Sequence, residues 1–231
     1  MRCIWEHNGC DTLLYAADYP GAYTRGKSLD EAIGKMRQEM ASYTRWCKAP
    51  MPMALDVDII QEKRSDLCIA DADSDVLFDA ERNSLTMEEY QQLKALALQS
   101  AEDFHRLFMA VPDRDASCLP HRSTFYGAVP RTAQEMYAHT RSVNAYYFGE
   151  IGVEADNEGT IQACRQRGFD LLEKTEGFLE KTAVEGSYGE WWSLRKVLRR
   201  FLWHDRIHAR AMYRMAVKTF GEECVNNVFM F

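Results

Sequence analysis

The sequence predicts an α+β protein, with a small β-sheet and one helix in residues 1–80 and an all-α four-helix bundle in residues 85–231. The first observation is a change in the spacing of apolar residues. Up to about residue 80 they occur in short runs broken by turn sequences such as Asn8-Gly9 and Pro20-Gly21. From residue 85 they recur every three or four residues, which is the period of an amphipathic helix. The second observation is a composition of 46% apolar and 27% charged residues, which is typical of a globular protein with a buried core.

Four short apolar runs in residues 1–80 predict strands, and one helix separates the third strand from the fourth. The helix begins at Ser28, because Ser28 and Glu31 have the spacing of a capping box. It ends near Trp46, before two prolines. The acidic stretch 66–83 is expected to be an exposed connection or a last strand. The strands are predicted over residues 3–6, 12–17, 22–24 and 55–61.

Residues 85–231 predict four amphipathic helices and no strand between residues 160 and 215. Thr86 and Glu89 form a second capping box at the start of the first helix, and Pro112 ends it. Gly221 is suited to the C-cap of the last helix. The facing apolar stripes of four such helices form the core of a bundle. The helices are predicted over residues 86–111, 131–148, 160–181 and 191–220.

Charge and cysteine content exclude several classes of protein. The 231 residues include 28 basic and 35 acidic side chains, a net charge of −7. Nucleic acid is therefore not an expected partner, because general nucleic-acid binding needs a basic surface. The seven cysteines include no Cys-x-x-Cys pair, which predicts free thiols in a cytoplasmic protein. No apolar run approaches the ~20 residues that span a bilayer, and no leader is recognised, so no membrane association is expected.

Three histidines lie on the apolar stripes of the predicted bundle. His204 and His208 continue the stripe of the fourth helix one turn apart, and His139 lies on the stripe of the second. A buried imidazole costs about 1–3 kcal/mol for each nitrogen left without a partner. A shared divalent metal would satisfy all three rings, since histidines at i and i+4 project from one helix face and imidazole is a common metal ligand. The sequence therefore predicts a metal site at these residues, with coordination positions left open for water or substrate.

Other interpretations of these residues stay open. The three histidines could pack in the core without a metal. Glu135 could orient His139 or complete the coordination sphere, whereas Asp205 is expected to form a surface ion pair with Arg206 or Arg210. The aromatic residues near the ligands predict a partly apolar pocket or ordinary core packing: Tyr137, Tyr146, Tyr147 and Trp203. The other histidines are expected outside the site, with His105 on a helix flank and both His7 and His121 in solvent.

Two parts of the C-terminal region resemble the DinB/YfiT family of metalloenzymes. They are residues 132–139 (TAQEMYAH) and residues 192–200 (WSLRKVLRR) leading into 204–208 (HDRIH). The resemblance covers residues 85–231 and implies a four-helix bundle in which His139, His204 and His208 bind a divalent metal, often nickel or zinc. It also implies a homodimer and a small-molecule substrate. Some members are thiol-dependent transferases or isomerases that use a low-molecular-weight thiol.

The N-terminal region resembles a HicB-like domain in its strand, Pro-Gly turn and capped helix. The residues that carry this resemblance are 15–21 (YAADYPG), Thr24, Gly26 and 28–32 (SLDEA). The expected domains are therefore a HicB-like domain in residues 1–80 and a DinB-like bundle in residues 85–231. One predicted function is a metal- and thiol-dependent transferase or hydrolase-like enzyme. The alternative is a non-catalytic module that binds a ligand or partner, with the HicB-like domain mediating the interaction.

Overall fold

The computed structural model describes residues 1–71, 73–124 and 127–231 and shows an α+β protein. The sheet strands are β1 Arg2–His7, β2 Thr12–Ala16, β3 Tyr23–Gly26 and β4 Asp58–Arg64. The α-helices of the described ranges are α1 Leu29–Cys47, α2 Met87–Ala110, α3 Ala133–Gly149, α4 Ile161–Leu172 and α5 Leu194–Phe220. No helix in these ranges combines the length and the apolar character that crossing a bilayer requires. All seven cysteines are free thiols.

The chain divides into two compact units. The first consists of Met1–Tyr90, Leu179–Trp203 and Met230–Phe231, and the second of Gln91–Phe178 and His204–Phe229. Both α2 and α5 therefore contribute residues to each unit. The proposed division of the sequence into domains 1–80 and 85–231 stays a prediction.

The sheet of the first unit has the strand order β3-β2-β1-β4. Neighbouring strands are antiparallel except β1 and β4, which are parallel. The chain runs from β1 through β2, β3 and α1 before it enters β4. The predicted capping box at the start of α1 is present. The Glu31 N–H donates to Ser28 Oγ at 3.3 Å. The fourth strand lies three residues later than predicted, because its pairing with β1 sets Asp58 opposite Arg2 and Arg64 opposite His7.

The prediction that residues 66–83 form an exposed connection or a last strand was wrong for residues 74–78. Residues 74 and 76–78 are buried, and none of residues 73–78 is in a strand. In the first unit, α5 donates to the backbone of this segment. Lys196 Nζ lies 2.9 Å from the carbonyl oxygen of Asp75, and Arg200 Nη1 lies 2.7 Å from that of Ser74. The prediction followed the acidic residues of this stretch and overlooked the apolar residues 76–78 (Val-Leu-Phe), which are part of the core.

The start of α2 agrees with the predicted capping box, and α3 begins with a capping box that the sequence analysis did not single out. The Glu89 N–H donates to Thr86 Oγ1 at 3.2 Å, and the Glu135 N–H donates to Thr132 Oγ1 at 3.1 Å. Between these helices, the two-residue strands Ser123–Thr124 and Gly127–Ala128 form a short ladder.

The third helix of the predicted bundle is shorter than the range 160–181. Thr160 caps α4 by accepting from the Ala163 N–H at 3.1 Å. Turns follow Leu172, and Gly177 has a φ of 64°, a left-handed conformation that cannot continue an α-helix.

A small hairpin contradicts the expectation of no strand between residues 160 and 215. Val184–Glu185 pairs with Trp191–Trp192, and the Gly186 N–H donates to the Glu190 carbonyl oxygen at 2.8 Å. The Gly-Ser-Tyr-Gly turn at residues 186–189 favours this reversal. Because the hairpin occupies residues 184–192, α5 begins at Leu194 rather than at Trp191.

Candidate metal centre

Three histidine side chains meet within the second unit. His139 comes from α3, and His204 and His208 come from α5. One ring nitrogen of each lies within 4.8 Å of the chosen nitrogens of the other two. The ring centroids are 4.4 Å apart for His204 and His208, 4.6 Å for His139 and His208, and 5.3 Å for His139 and His204. The structure thus brings together all three histidines that the sequence singled out.

Local helix geometry explains how the histidines converge. His204 and His208 are four residues apart in the uninterrupted helix α5, so their side chains lie one above the other on the same face. His139 lies near the middle of α3, so the regular helix on both sides of it fixes its direction. Spacing alone predicts from the sequence that His204 and His208 share a face of α5. The position of His139 opposite that face depends on how α3 and α5 pack.

The prediction that His139 lies on a buried stripe was wrong. His204 is 8% exposed and His208 is half-buried, whereas His139 is exposed. The buried face of α3 is instead formed by Ala133, Met136, Tyr137, Thr140, Asn144, Tyr147 and Phe148. His139 lies at the edge of that face. Within the cluster, His139 therefore contacts solvent, whereas His204 is largely shielded from it.

The environment favours uncharged imidazoles in two of the rings. Burial, together with the nearby His139, lowers the pKa of His208 to about 3. The protein atoms packed around its ring also lower the pKa of His139 below its ordinary value, although part of this side chain reaches solvent. At neutral pH both rings are therefore neutral, and a neutral imidazole is the form that offers a lone pair to a metal.

The donor set fits a divalent transition metal. Imidazole nitrogens suit zinc, nickel, copper and iron. A tetrahedral site with Zn–N bonds of ~2.0–2.1 Å places its ligand nitrogens about 3.3 Å from one another. The 4.8 Å limit found here exceeds this by about 1.5 Å, a distance that side-chain rotation can close. Three nitrogens leave at least one coordination position for water or substrate.

Some of the aromatic residues expected near the ligands pack elsewhere in the fold. Tyr147 is buried and packs edge-on against His204, with centroids 6.0 Å apart, and the Tyr146 ring lies beside that of Tyr147. Tyr137 instead contacts Phe108, with stacked rings 4.2 Å apart. Trp203 belongs to the first unit, where it packs against tyrosines of the sheet. The apolar wall beside the cluster is therefore Tyr147.

Glu135 does not orient His139 or complete the coordination sphere. Its carboxylate accepts the backbone N–H groups of Arg131 and Thr132, at 2.8 and 3.1 Å. These bonds lower the pKa of Glu135, because hydrogen bonds to the charged carboxylate favour it. Glu135 thus closes the capping box at the start of α3 and acts on the site only by fixing where that helix begins.

Asp205 is not at the surface, contrary to the expected ion pair with Arg206 or Arg210. Its carboxylate is fully buried and makes two hydrogen bonds with Arg165 of α4, at 2.6 and 3.0 Å. Sequence reasoning missed Arg165 altogether. Its partner is 40 residues away in the chain, and no local pattern marks a single arginine as buried.

The remaining histidines lie outside the cluster. His105 of α2 is half-buried, and its Nδ1 lies 2.9 Å from the Tyr137 hydroxyl. His7 is half-buried as well, stacked on Trp5 and 3.0 Å from a Glu62 oxygen, so the expectation that it is solvated was wrong. His121 is exposed, as expected.

Comparison with known proteins adds no family to this description. No protein-family model, no curated protein and no solved structure matches the chain.

Proposed function

We propose that this protein is a DinB/YfiT-like metalloenzyme in which His139, His204 and His208 bind one divalent metal, nickel or zinc. The observation that carries the proposal is the approach of three imidazole nitrogens to within 4.8 Å of one another. The rings come from two helices, and His139 is far in sequence from the other two, so local spacing alone does not account for the meeting of all three. In this proposal α2 to α5 form the four-helix bundle of residues 85–231.

The proposed reaction is a metal- and thiol-dependent transfer or hydrolysis on a small-molecule substrate. When bound, the metal supplies a Lewis acid that activates water or a thiol at neutral pH. The chain supplies the shape of the site. The exposed side at His139 admits the substrate, and Tyr147 provides an apolar wall beside His204.

The proposal extends to the N-terminal region as a HicB-like interaction module. The order of β2, the Pro20-Gly21 turn, β3 and a Ser28-capped α1 supports it, because these are the features that carry the resemblance. If the histidine cluster supports no turnover with any thiol, the non-catalytic alternative applies, in which this module recruits a partner.

The test is the metal content of protein purified without an affinity tag. We expect about one nickel or zinc per chain by elemental analysis, and loss of that metal in His204→Ala and His208→Ala. His105→Ala is the matched control, because His105 is also a helical, half-buried histidine in the second unit but lies outside the cluster. The variants should fold, because a domain with a large apolar core does not depend on a bound metal for its stability. Equal metal in His204→Ala and parent would contradict the site, and thiol-dependent turnover by the loaded protein would separate enzyme from binding module.

A further inference from the structure

A buried ion pair lies in the second unit, next in sequence to a histidine of the cluster. Asp205 follows His204 in α5, and its two carboxylate oxygens accept from the two terminal nitrogens of Arg165, at 2.6 and 3.0 Å. Both side chains are completely buried. This two-point geometry fixes the direction of both side chains, because the guanidinium and the carboxylate are planar and must face each other.

Arg165 and a second residue of α4 make hydrogen bonds to α2 and α3. Arg165 Nη1 also donates to the carbonyl oxygen of Ala97 in α2, at 3.0 Å. One turn earlier, the Ile161 N–H donates to the hydroxyl of Tyr137 in α3, at 3.2 Å. Tyr137 precedes His139 by two residues. One helix, α4, is thus bonded both to the helix that carries His139 and to the helix that carries the other two ligands.

Stability alone is a poor explanation for this pair. Removing two charges from water costs several kcal/mol for each ion, and apolar residues of similar volume often stabilise a fold as well or better. What an apolar pair cannot reproduce is the fixed orientation. A rotation of α5 by 20° about its axis would move a histidine nitrogen, which lies about 5–6 Å from that axis, by about 2 Å. Such a shift is as large as a metal–nitrogen bond.

We propose that Arg165 and Asp205 are positioning residues that hold α5 at the rotation required for His204 and His208 to share a metal with His139. This inference rests on the proposed metal site. The pair acts through helix placement and touches neither the metal nor the substrate.

The test compares metal affinity with stability in a double variant, Arg165→Met/Asp205→Leu. Three quantities are to be measured. They are the Kd for zinc (by competition with a chromophoric chelator), the visible spectrum of the cobalt-loaded protein, and the melting temperature of the metal-free protein. We expect a melting temperature within a few degrees of the parent, a Kd raised at least tenfold and a changed cobalt spectrum. The matched control is Arg167→Met, which removes an arginine of the same helix whose partner Asp156 is solvent-exposed. It should keep the parent Kd and spectrum.

A double variant with the parent Kd and the parent cobalt spectrum would overturn the positioning role and leave the metal site intact. If the double variant does not fold, Arg165→Lys replaces it. Lysine keeps the charge but cannot make the two-point bond, so the same rise in Kd is expected and a parent-like Kd again overturns the role. A parent protein that binds none of zinc, nickel and cobalt would overturn the proposed function, and this inference with it.

Discussion

Gly168 is a residue whose lack of a side chain is required by a neighbouring helix. It lies inside α4, where alanine would normally be the better helix former by about 1 kcal/mol. A Cβ atom added at Gly168, however, would lie 2.1 Å from Cε2 of Phe148 in α3. The Phe148 ring is fully buried and packs edge-on against Phe169, so it has little room to move. The packing of α3 on α4 therefore depends on this glycine.

We predict that Gly168→Ala lowers the free energy of unfolding by about 1–3 kcal/mol, because overpacking outweighs the gain in helix propensity. Gly34→Ala is the matched control in α1. Gly34 is exposed, and a Cβ there meets no atom within 4 Å. The control should raise the free energy of unfolding by about 0.5–1 kcal/mol. Urea denaturation of both variants measures the two effects, and a stabilised Gly168→Ala would contradict the close contact.

At the scale of single residues, the sequence predicted groups related by local spacing and missed those related by packing. The i, i+4 pair His204 and His208 and the capping boxes at Ser28 and Thr86 depend on residues at most four apart. Arg165 and Gly168 depend instead on partners contributed by other helices. Nothing in their immediate sequence distinguishes them from a surface arginine or a flexible glycine.

The helix α5 shows the same distinction at the scale of an element. The sequence predicted its apolar stripe, but every residue from 196 to 207 is buried, including the charged ones. In the first unit, Lys196 Nζ donates to the carbonyl oxygens of Asp75 and Trp191 and lies 2.8 Å from a Glu190 carboxylate oxygen. A charged side chain on a predicted helix is ordinarily assigned to its solvent face. Only the position of its partners explains why this one is inside.

We predict a pH dependence of stability that comes from Lys196. Burial lowers its pKa in the folded protein to about 8, against 10.5 for an ordinary lysine. Between these values the unfolded chain binds a proton that the folded chain has released, so the lysine's destabilising contribution decreases as the pH rises. The parent should therefore gain about 2 kcal/mol relative to Lys196→Met between pH 7.5 and 9.5, measured by urea denaturation. Lys35→Met, which removes an exposed lysine of α1, should show no such trend relative to the parent.

At the scale of the whole molecule, the chain order of the elements differs from their grouping in space. The sequence placed a boundary near residue 85, where the spacing of apolar residues changes. The first compact unit nevertheless includes Leu179–Trp203. Within that unit, Arg199 pairs with Glu81 and Trp203 packs against Tyr15. A change of periodicity marks where strands give way to helices, but it carries no information about a later segment that returns to the sheet.

The last prediction follows from this returning segment. A fragment of residues 1–84 would keep the residues of the sheet and α1 but would lose Arg199, the ion-pair partner of Glu81, and Trp203, which packs on Tyr15. Apolar surface that this segment covers would then face water, at a cost of about 25 cal/mol per Å². We expect this fragment to melt at a lower temperature than the full chain, or to lack a cooperative transition by circular dichroism.

Adding a synthetic peptide of residues 179–203 should raise the melting temperature of the fragment in a concentration-dependent way, because a ligand that binds only the folded state stabilises it by mass action. A peptide with Lys196, Arg199 and Arg200 replaced by alanine should have a much weaker effect, since it cannot make the hydrogen bonds to residues 74–76 and 81. A fragment that melts as cooperatively and at as high a temperature as the full chain, with no response to the peptide, would show that residues 1–84 are an autonomous domain and that the returning segment is dispensable for their fold.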